Sequence, residues 1–328
     1  MKTYFVLGAG ANVDIGMPTG DILLKTISWL FHFENNSLIR FSGTMDNFKN
    51  AINKLKELKN ISNITAIGEK IKTGLPLELS IDNFLYKHYD DKELVACGKL
   101  AIAFAILGYE RSCKMYTETD EFPISSIQNS WYIQLFQRIT EGCRIKDLLK
   151  RLENIVFIIF NYDRCFERFL CNALMNNYSI DYQNALEIVE EIKIIHPYGS
   201  LGDCKFGEII SEERLIDITN RIKLYTENEN NLPDNYLLMP SMINTSYRVI
   251  FFGFAYHIQN MNIIFNQSVI NRNSKSLFGT GLGISKNDSE YLTRNWISRL
   301  GIATNFTILN NDCKDFLKEF QYTLTFTD

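Results

Sequence analysis

Contrasting hydrophobic rhythms divide the chain. Residues 4–7 (Tyr-Phe-Val-Leu) form an uninterrupted apolar run stopped by Gly8, Ala9 and Gly10, the pattern of a short buried strand. From about Thr19 or Asp21, either of which can cap a helix, Leu23, Leu24, Ile27, Leu30 and Phe31 recur at helical spacing. Phe31-His32-Phe33-Glu34 imitates a second strand ending in an acid, but continues the helical stripe better. Residues 37–150 then read as almost wholly helical: Leu55 and Leu58, then Ile81, Phe84, Leu85 and Tyr89, then 94–106, then Trp131, Leu135 and Ile139. Ser80 looks like a helix cap, and Pro123 ends a segment.

Strand signals return at residues 154–160 (NIVFIIF), 192–195, 249–252, 277–278 and 304–309, with helices predicted after Asp163, after about Ile258 and from Asn311 or Asp312. Residues 226–234 read as a polar loop. Apolar runs alternating with helices predict an α/β fold: a Rossmann-like parallel sheet with helices on both faces and a large all-helical insertion. Residues 1–36 and 151–328 make the Rossmann-like domain in this reading, and 37–150 the insertion. Glycine-rich or polar punctuation (GAG, NYD, HPYGS, GFAY, GTGLG) follows nearly every predicted strand. In a parallel sheet those ends share one edge, where ligands bind. Strand, glycine turn and helix N-terminus together predict a cradle for a pyrophosphate.

Composition narrows the classes. A chain of 328 residues with 46% hydrophobic content can bury a full core. A net charge of −4 gives no electrostatic case for direct nucleic-acid binding. Seven cysteines without a Cys-x-x-Cys pair suit a reduced compartment. The start lacks signal-peptide architecture, and the longest apolar run, 100–107, is too short to span a bilayer. The expectation is a soluble cytoplasmic protein with no membrane partner. Val13 occupies the sixth position of what would be G-x-G-x-x-G, which opposes a dehydrogenase.

Gly8-Ala9-Gly10 with Asn12, then Gly16 and Pro18, then Asn161-Tyr162-Asp163, then residues 196–200, then Gly253, in that order, resemble the sirtuin pattern. More closely, they resemble the divergent bacterial SIR2-like domains that hydrolyse NAD in anti-phage defence. The resemblance covers nearly the whole chain and implies NAD as substrate, with water cleaving its N-glycosidic bond to give ADP-ribose and nicotinamide. It implies Asn161 beside the nicotinamide ribose, where a neutral amide both donates and accepts hydrogen bonds. Asp163 would orient that site or bind nicotinamide. Both residues also fit helix capping after a strand. The sirtuin histidine, a base near the ribose hydroxyls, is matched either by His196 or by Tyr198, which stands directly before Gly199. Gly8, Ala9, Gly10 and Asn12 are implied phosphate contacts, with Gly16, Pro18 and Gly199 in the same motifs. Gly253 is implied on the adenosine side, Phe254 is a further NAD-binding candidate beside it, and Gln259, Asn260 and Asn262 are weaker additions.

Departures from the family pattern point away from its peptide-deacylating members. Between Gly199 and Asn266 the only cysteine is Cys204, so the four-cysteine zinc module is missing. Ile159 and Phe160 stand where Thr and Gln usually precede the Asn, and Thr19, Gly20 and Asp21 replace the usual acidic and arginine residues after Pro18. No metal is implied. An NAD-depleting effector is lethal if unrestrained, so the resemblance also implies activation by homo-oligomerisation or by a sensor or ATPase partner. The insertion, which follows the glycine turn directly, is then expected at the pocket rim. The alternatives weighed are an NAD-dependent deacylase and a non-catalytic NAD or ADP-ribose sensor.

Overall fold

The structure is a computed structural model that describes residues 2–32, 44–119, 121–202, 205–224, 243, 246–265, 276–300 and 305–326. The polar stretch 226–234, Cys204, Phe33 and Glu34 lie outside the described residues. Strands β1 (Thr3–Leu7), β2 (Ile155–Ile159), β3 (Lys193–Ile195), β4 (Arg248–Phe252), β5 (Ser276–Thr280) and β6 (Asn305–Leu309) form one six-stranded sheet. Its order is β3-β2-β1-β4-β5-β6 and every pairing is parallel. This is the doubly wound Rossmann order, so the Rossmann-like α/β prediction holds. β1 lies at the centre, with Phe5 opposite Phe157 of β2 and Ile250 of β4. Both its faces are covered, which is why its apolar run does not alternate.

One face carries Phe5, Phe157 and Phe252 against Trp131, Phe166 and Phe316. The other carries Phe251 against Phe254, Tyr256, Phe265 and Phe306. Helix α1 (Gly20–Leu30) is capped by Thr19, whose Oγ1 accepts the Ile22 N–H at 3.4 Å. It packs on α3 (Ile64–Gly74) and α5 (Lys92–Ser112) rather than on the sheet. With α2 (Thr44–Lys59) and α4 (Ile81–Lys87), which Ser80 caps as predicted, α3 and α5 belong to the insertion. Leu58 and Tyr89, placed on apolar stripes by spacing, face solvent.

Contacts cross the predicted insertion boundary in both directions. Helix α6 (Trp131–Thr140) lies within 37–150, yet it packs against α8 (Cys165–Tyr178) and the C-terminal helix Cys313–Glu319 on the sheet face. Helix α7 (Ile145–Leu152) leads into β2 and packs on it. In the other direction α1, within 1–36, packs among the insertion helices, as does α10 (Glu212–Thr219) from the C-terminal half. Helix α9 (Tyr182–Glu191), capped by Asp181, precedes β3 and went unread in the sequence. The chain closes with α11 (Ile258–Ile264), α12 (Lys286–Leu300) and α13, the helix Cys313–Glu319 already named, which Asp312 caps.

Candidate functional site

Strand order reverses between β1 and β4, and the crevice at the carboxyl ends of such strands is where doubly wound sheets take ligands. The loops leaving these strands touch backbone to backbone. Gly8 N–H donates to Phe252 O at 2.9 Å and Gly10 N–H to Gly253 O at 3.0 Å. A Cβ on Gly8 would stand 2.6 Å from Gly253 O, and one on Gly253, whose φ is +55°, would stand 1.8 Å from Ala11 N. These glycines are therefore required for close approach. The Gly8 and Gly10 N–H groups, read as phosphate donors, are committed within the chain.

The glycine turn also does not run straight into α1. Residues Ala9–Ile15 coil into a 3-10 helix, and Gly16, in the left-handed region at φ +98°, ends it before Pro18 and the Thr19 cap. The strand–turn–α-helix cradle is thus replaced by a strand running into a 3-10 turn. The insertion grips this turn. Trp131 Nε1 donates to Ala11 O at 2.7 Å, Lys114 N–H donates to Ile15 O at 2.9 Å, and Lys114 Nζ donates to Asp14 O at 2.7 Å.

Asn12, placed on phosphate by the resemblance, is an internal bridge. It is 2% exposed; its Nδ2 donates to Asp163 Oδ1 at 2.9 Å, and its Oδ1 accepts the Tyr132 hydroxyl at 2.7 Å. Asp163 Oδ1 also accepts the Cys165 N–H at 3.1 Å, which ties Asp163 to the first residue of α8. Burial raises its carboxyl to about 6, hydrogen bonds from Cys165 work against this, and the charges of Glu110 and Glu167 add to it. The flanking residues of the same turn are tied to the insertion. The Tyr162 hydroxyl donates to the Asp82 carboxylate of α4. Arg164 donates through its backbone N–H, Nε and Nη2 to fully buried Glu110 of α5.

Asn161 follows β2 beside β1 and is 7% exposed. Its Nδ2 donates to Gly8 O at 3.3 Å, whereas its Oδ1 is buried with no hydrogen-bond partner among the described residues. His196 supports it from β3: its ring nitrogens meet Asn161 O at 3.1 Å and Glu167 Oε1 at 2.7 Å. A backbone carbonyl on one side and, when ionised, the Glu167 carboxylate on the other both accept, an arrangement that favours the doubly protonated ring. Burial pulls the His196 pKa down, but the Glu167 charge and the hydrogen bonds to Glu167 and Asn161 outweigh it, leaving it above 6.5. His196 as arranged presents no free nitrogen to act as a base. Tyr198 is no freer, since its hydroxyl donates to Asn260 Oδ1 at 2.6 Å.

Phe254 and Tyr198 each meet Phe160 edge to face, at 5.2 and 5.7 Å between ring centres. The structure thus brings together Asn161, Asp163, Asn12, Tyr198, Asn260, Phe254 and the Gly8 and Gly253 loops at one sheet edge. Gly199, at φ +73°, serves the backbone, since a Cβ there would meet Arg221 O at 1.9 Å. Gln259 is half-buried on α11 and Asn262 faces solvent.

Sequence reasoning missed Glu167, Tyr132, Asp82 and Glu110. Glu167 had a local signal, one helical turn beyond Asp163. The other three come from the insertion, where nothing nearby in sequence marks them. Among the described residues no helix is long and apolar enough to cross a membrane. The chain matches no protein-family model, and no curated protein matches it significantly. What the fold and edge define is a Rossmann-like α/β protein with a polar, largely buried candidate site at the switch point of its sheet.

Proposed function

We propose that this protein is an NAD glycohydrolase, converting NAD and water to ADP-ribose and nicotinamide. The observation that carries the reading is the Asn161 amide. A buried carbonyl oxygen without a donor is costly, and here it sits at the sheet edge where nucleotides bind in this fold class. A ribose hydroxyl would satisfy it. Nicotinamide departs from a cationic ring and needs no acid, so the site's tasks are to hold the ribose and orient one water at C1′. In this scheme Asn161 positions the sugar. His196, clamped by Glu167, fixes the Asn161 carbonyl, and Asp163 fixes the turn. Tyr198 and Phe254, both packed on Phe160, wall the same edge. The burial of Asn161, with insertion residues gripping both adjoining turns, supports a resting state opened by oligomerisation or by a partner. That behaviour fits an effector of anti-phage defence.

The engaged His196 favours a second reading, a sensor that binds NAD or ADP-ribose without turnover. One experiment separates the two: NAD is incubated with wild type and Asn161→Ala over a wide range of protein concentration, and products are resolved by chromatography. The expected result is nicotinamide and ADP-ribose from wild type, with at least about a hundredfold loss in the folded variant. Equal turnover by the variant sinks the assignment of Asn161. Tight NAD binding without product at every concentration selects the sensor.

A further inference from the structure

A cavity of about 370 Å³ opens between α1, α2, α5 and the segment leading into α10, lined by residues apart from those of the candidate site. Its walls are mainly apolar, formed by Trp29, Phe104, Leu107, Ile210 and Leu215. That size and lining match small-molecule sites. A second observation concerns Gly108, which lines the same cavity within α5, about one turn before its C-terminal end. Glycine weakens a helix interior relative to alanine, so its presence there needs a reason. Gly98 on the same helix has one, since a Cβ would meet Leu85 Cδ2 at 2.4 Å. At Gly108 an added Cβ meets nothing within 4 Å. What the glycine does is keep that wall bare, leaving helix backbone open to whatever enters.

We propose that this cavity is a binding site for a compact apolar molecule carrying one hydrogen-bond-accepting oxygen group, such as a carboxylate. The polar groups fix its orientation. Thr26 Oγ1 donates to Ile22 O at 2.9 Å, so the Tyr109 hydroxyl, 2.7 Å away, donates to Thr26. Arg111 holds the unused donors. It lies over the Tyr116 ring at 5.4 Å, and among the described residues no carboxylate pairs with it. Of the rim acids, Glu208 accepts the Lys205 N–H at 2.9 Å and Glu212 sits in the first turn of α10, where the helix dipole offsets its charge. The ligand's head therefore meets Arg111 while its body lies against Gly108 and the aromatic walls.

The test uses the full chain with anilinonaphthalene sulfonate, which has an apolar body and an anionic head, and decanoate as competitor. Wild type should bind the dye saturably and release it to decanoate. Gly108→Leu should weaken binding at least about tenfold by filling the space, with a melting temperature equal to or above wild type. Arg111→Ala should weaken it severalfold. Gly108→Ala, which adds only the Cβ that open space admits, covers the case in which leucine misfolds: its melting temperature should rise and its affinity fall. Absence of saturable binding to wild type, or unchanged dye affinity in the folded Gly108 variants, overturns the site. Unchanged affinity in Arg111→Ala overturns the assigned head group.

Discussion

The two flanks of β1 are joined in opposite ways. On the β4 side, Gly8, Gly10 and Gly253 meet through main-chain atoms, with no side chain between the loops. On the β2 side the link runs through side chains: Asn161 to Gly8 O, and Tyr132 through Asn12 to Asp163. Backbone contact is rigid and unforgiving of volume, whereas a buried polar network is sensitive to the loss of a partner and can leave an atom unmatched, as it does at Asn161 Oδ1. The first flank sets the shape of the edge, and the second holds the groups that could meet a ligand. The largest effect should therefore come from Gly253→Ala. Its Cβ collides with Ala11 N, and its φ disfavours any side chain, so a loss of about 3 kcal/mol or more is expected in urea denaturation. A loss under about 1 kcal/mol would mean that the loops are not in this contact.

A smaller effect belongs to the other flank. Tyr132→Phe removes the donor to Asn12 Oδ1 at a buried position and should cost about 1 to 3 kcal/mol. Combined with Asn12→Ala in a double-mutant cycle, the two changes should be non-additive by about 0.5 kcal/mol or more. Strict additivity would dissolve the network and leave the β2 flank held by packing alone.

The sheet was legible because its strands are apolar runs on adjacent residues, with breaks at Gly8, Asn161, His196 and Gly253 marking its edge. Caps such as Thr19, Ser80 and Asp312 were legible for the same reason, since side chain and N–H partner lie within one turn. The Asn12–Asp163 pair spans 151 residues and leaves no period to find. Asn12 was legible as a polar residue after a glycine turn, but its partners, Asp163 and Tyr132, were not. The 3-10 turn was missed because its buried positions, Ala11, Asn12 and Ile15, cover little more than one turn and include a polar residue, too short a span to show a period. The packing of α6 on the sheet was missed because an apolar stripe reveals that a face is buried, and not which partner buries it.

The gentlest probe of the comparison is pH, which acts on the β2 flank through His196. His196 titrates above its ordinary 6.5 because its ion pair and hydrogen bonds outweigh burial. A raised folded-state pKa means that the folded chain holds the proton more tightly than the unfolded chain. The His196 contribution to stability is therefore fully present below about 6.5 and is lost as pH rises through the folded value. Glu167 has the opposite shift: burial raises it, but the His196 charge lowers it further, to below 4.5. Its contribution holds above 4.5 and is lost as pH falls through the lowered value. The pair is thus intact in the mildly acidic window between them. Asp163, raised to about 6, loses its own contribution as pH climbs from 3.8 through 6, so it adds to the decline mainly on the acid side of the His196 step. Wild type should lose urea resistance between neutral and alkaline pH, and His196→Gln should lack that portion of the loss. Glu167→Gln should remove it too, since the raised pKa depends on that carboxylate. Parallel stability curves for wild type and His196→Gln would show that the imidazolium clamp on Asn161 contributes nothing, and the β2 flank would then rest on the Asn12 bridge alone.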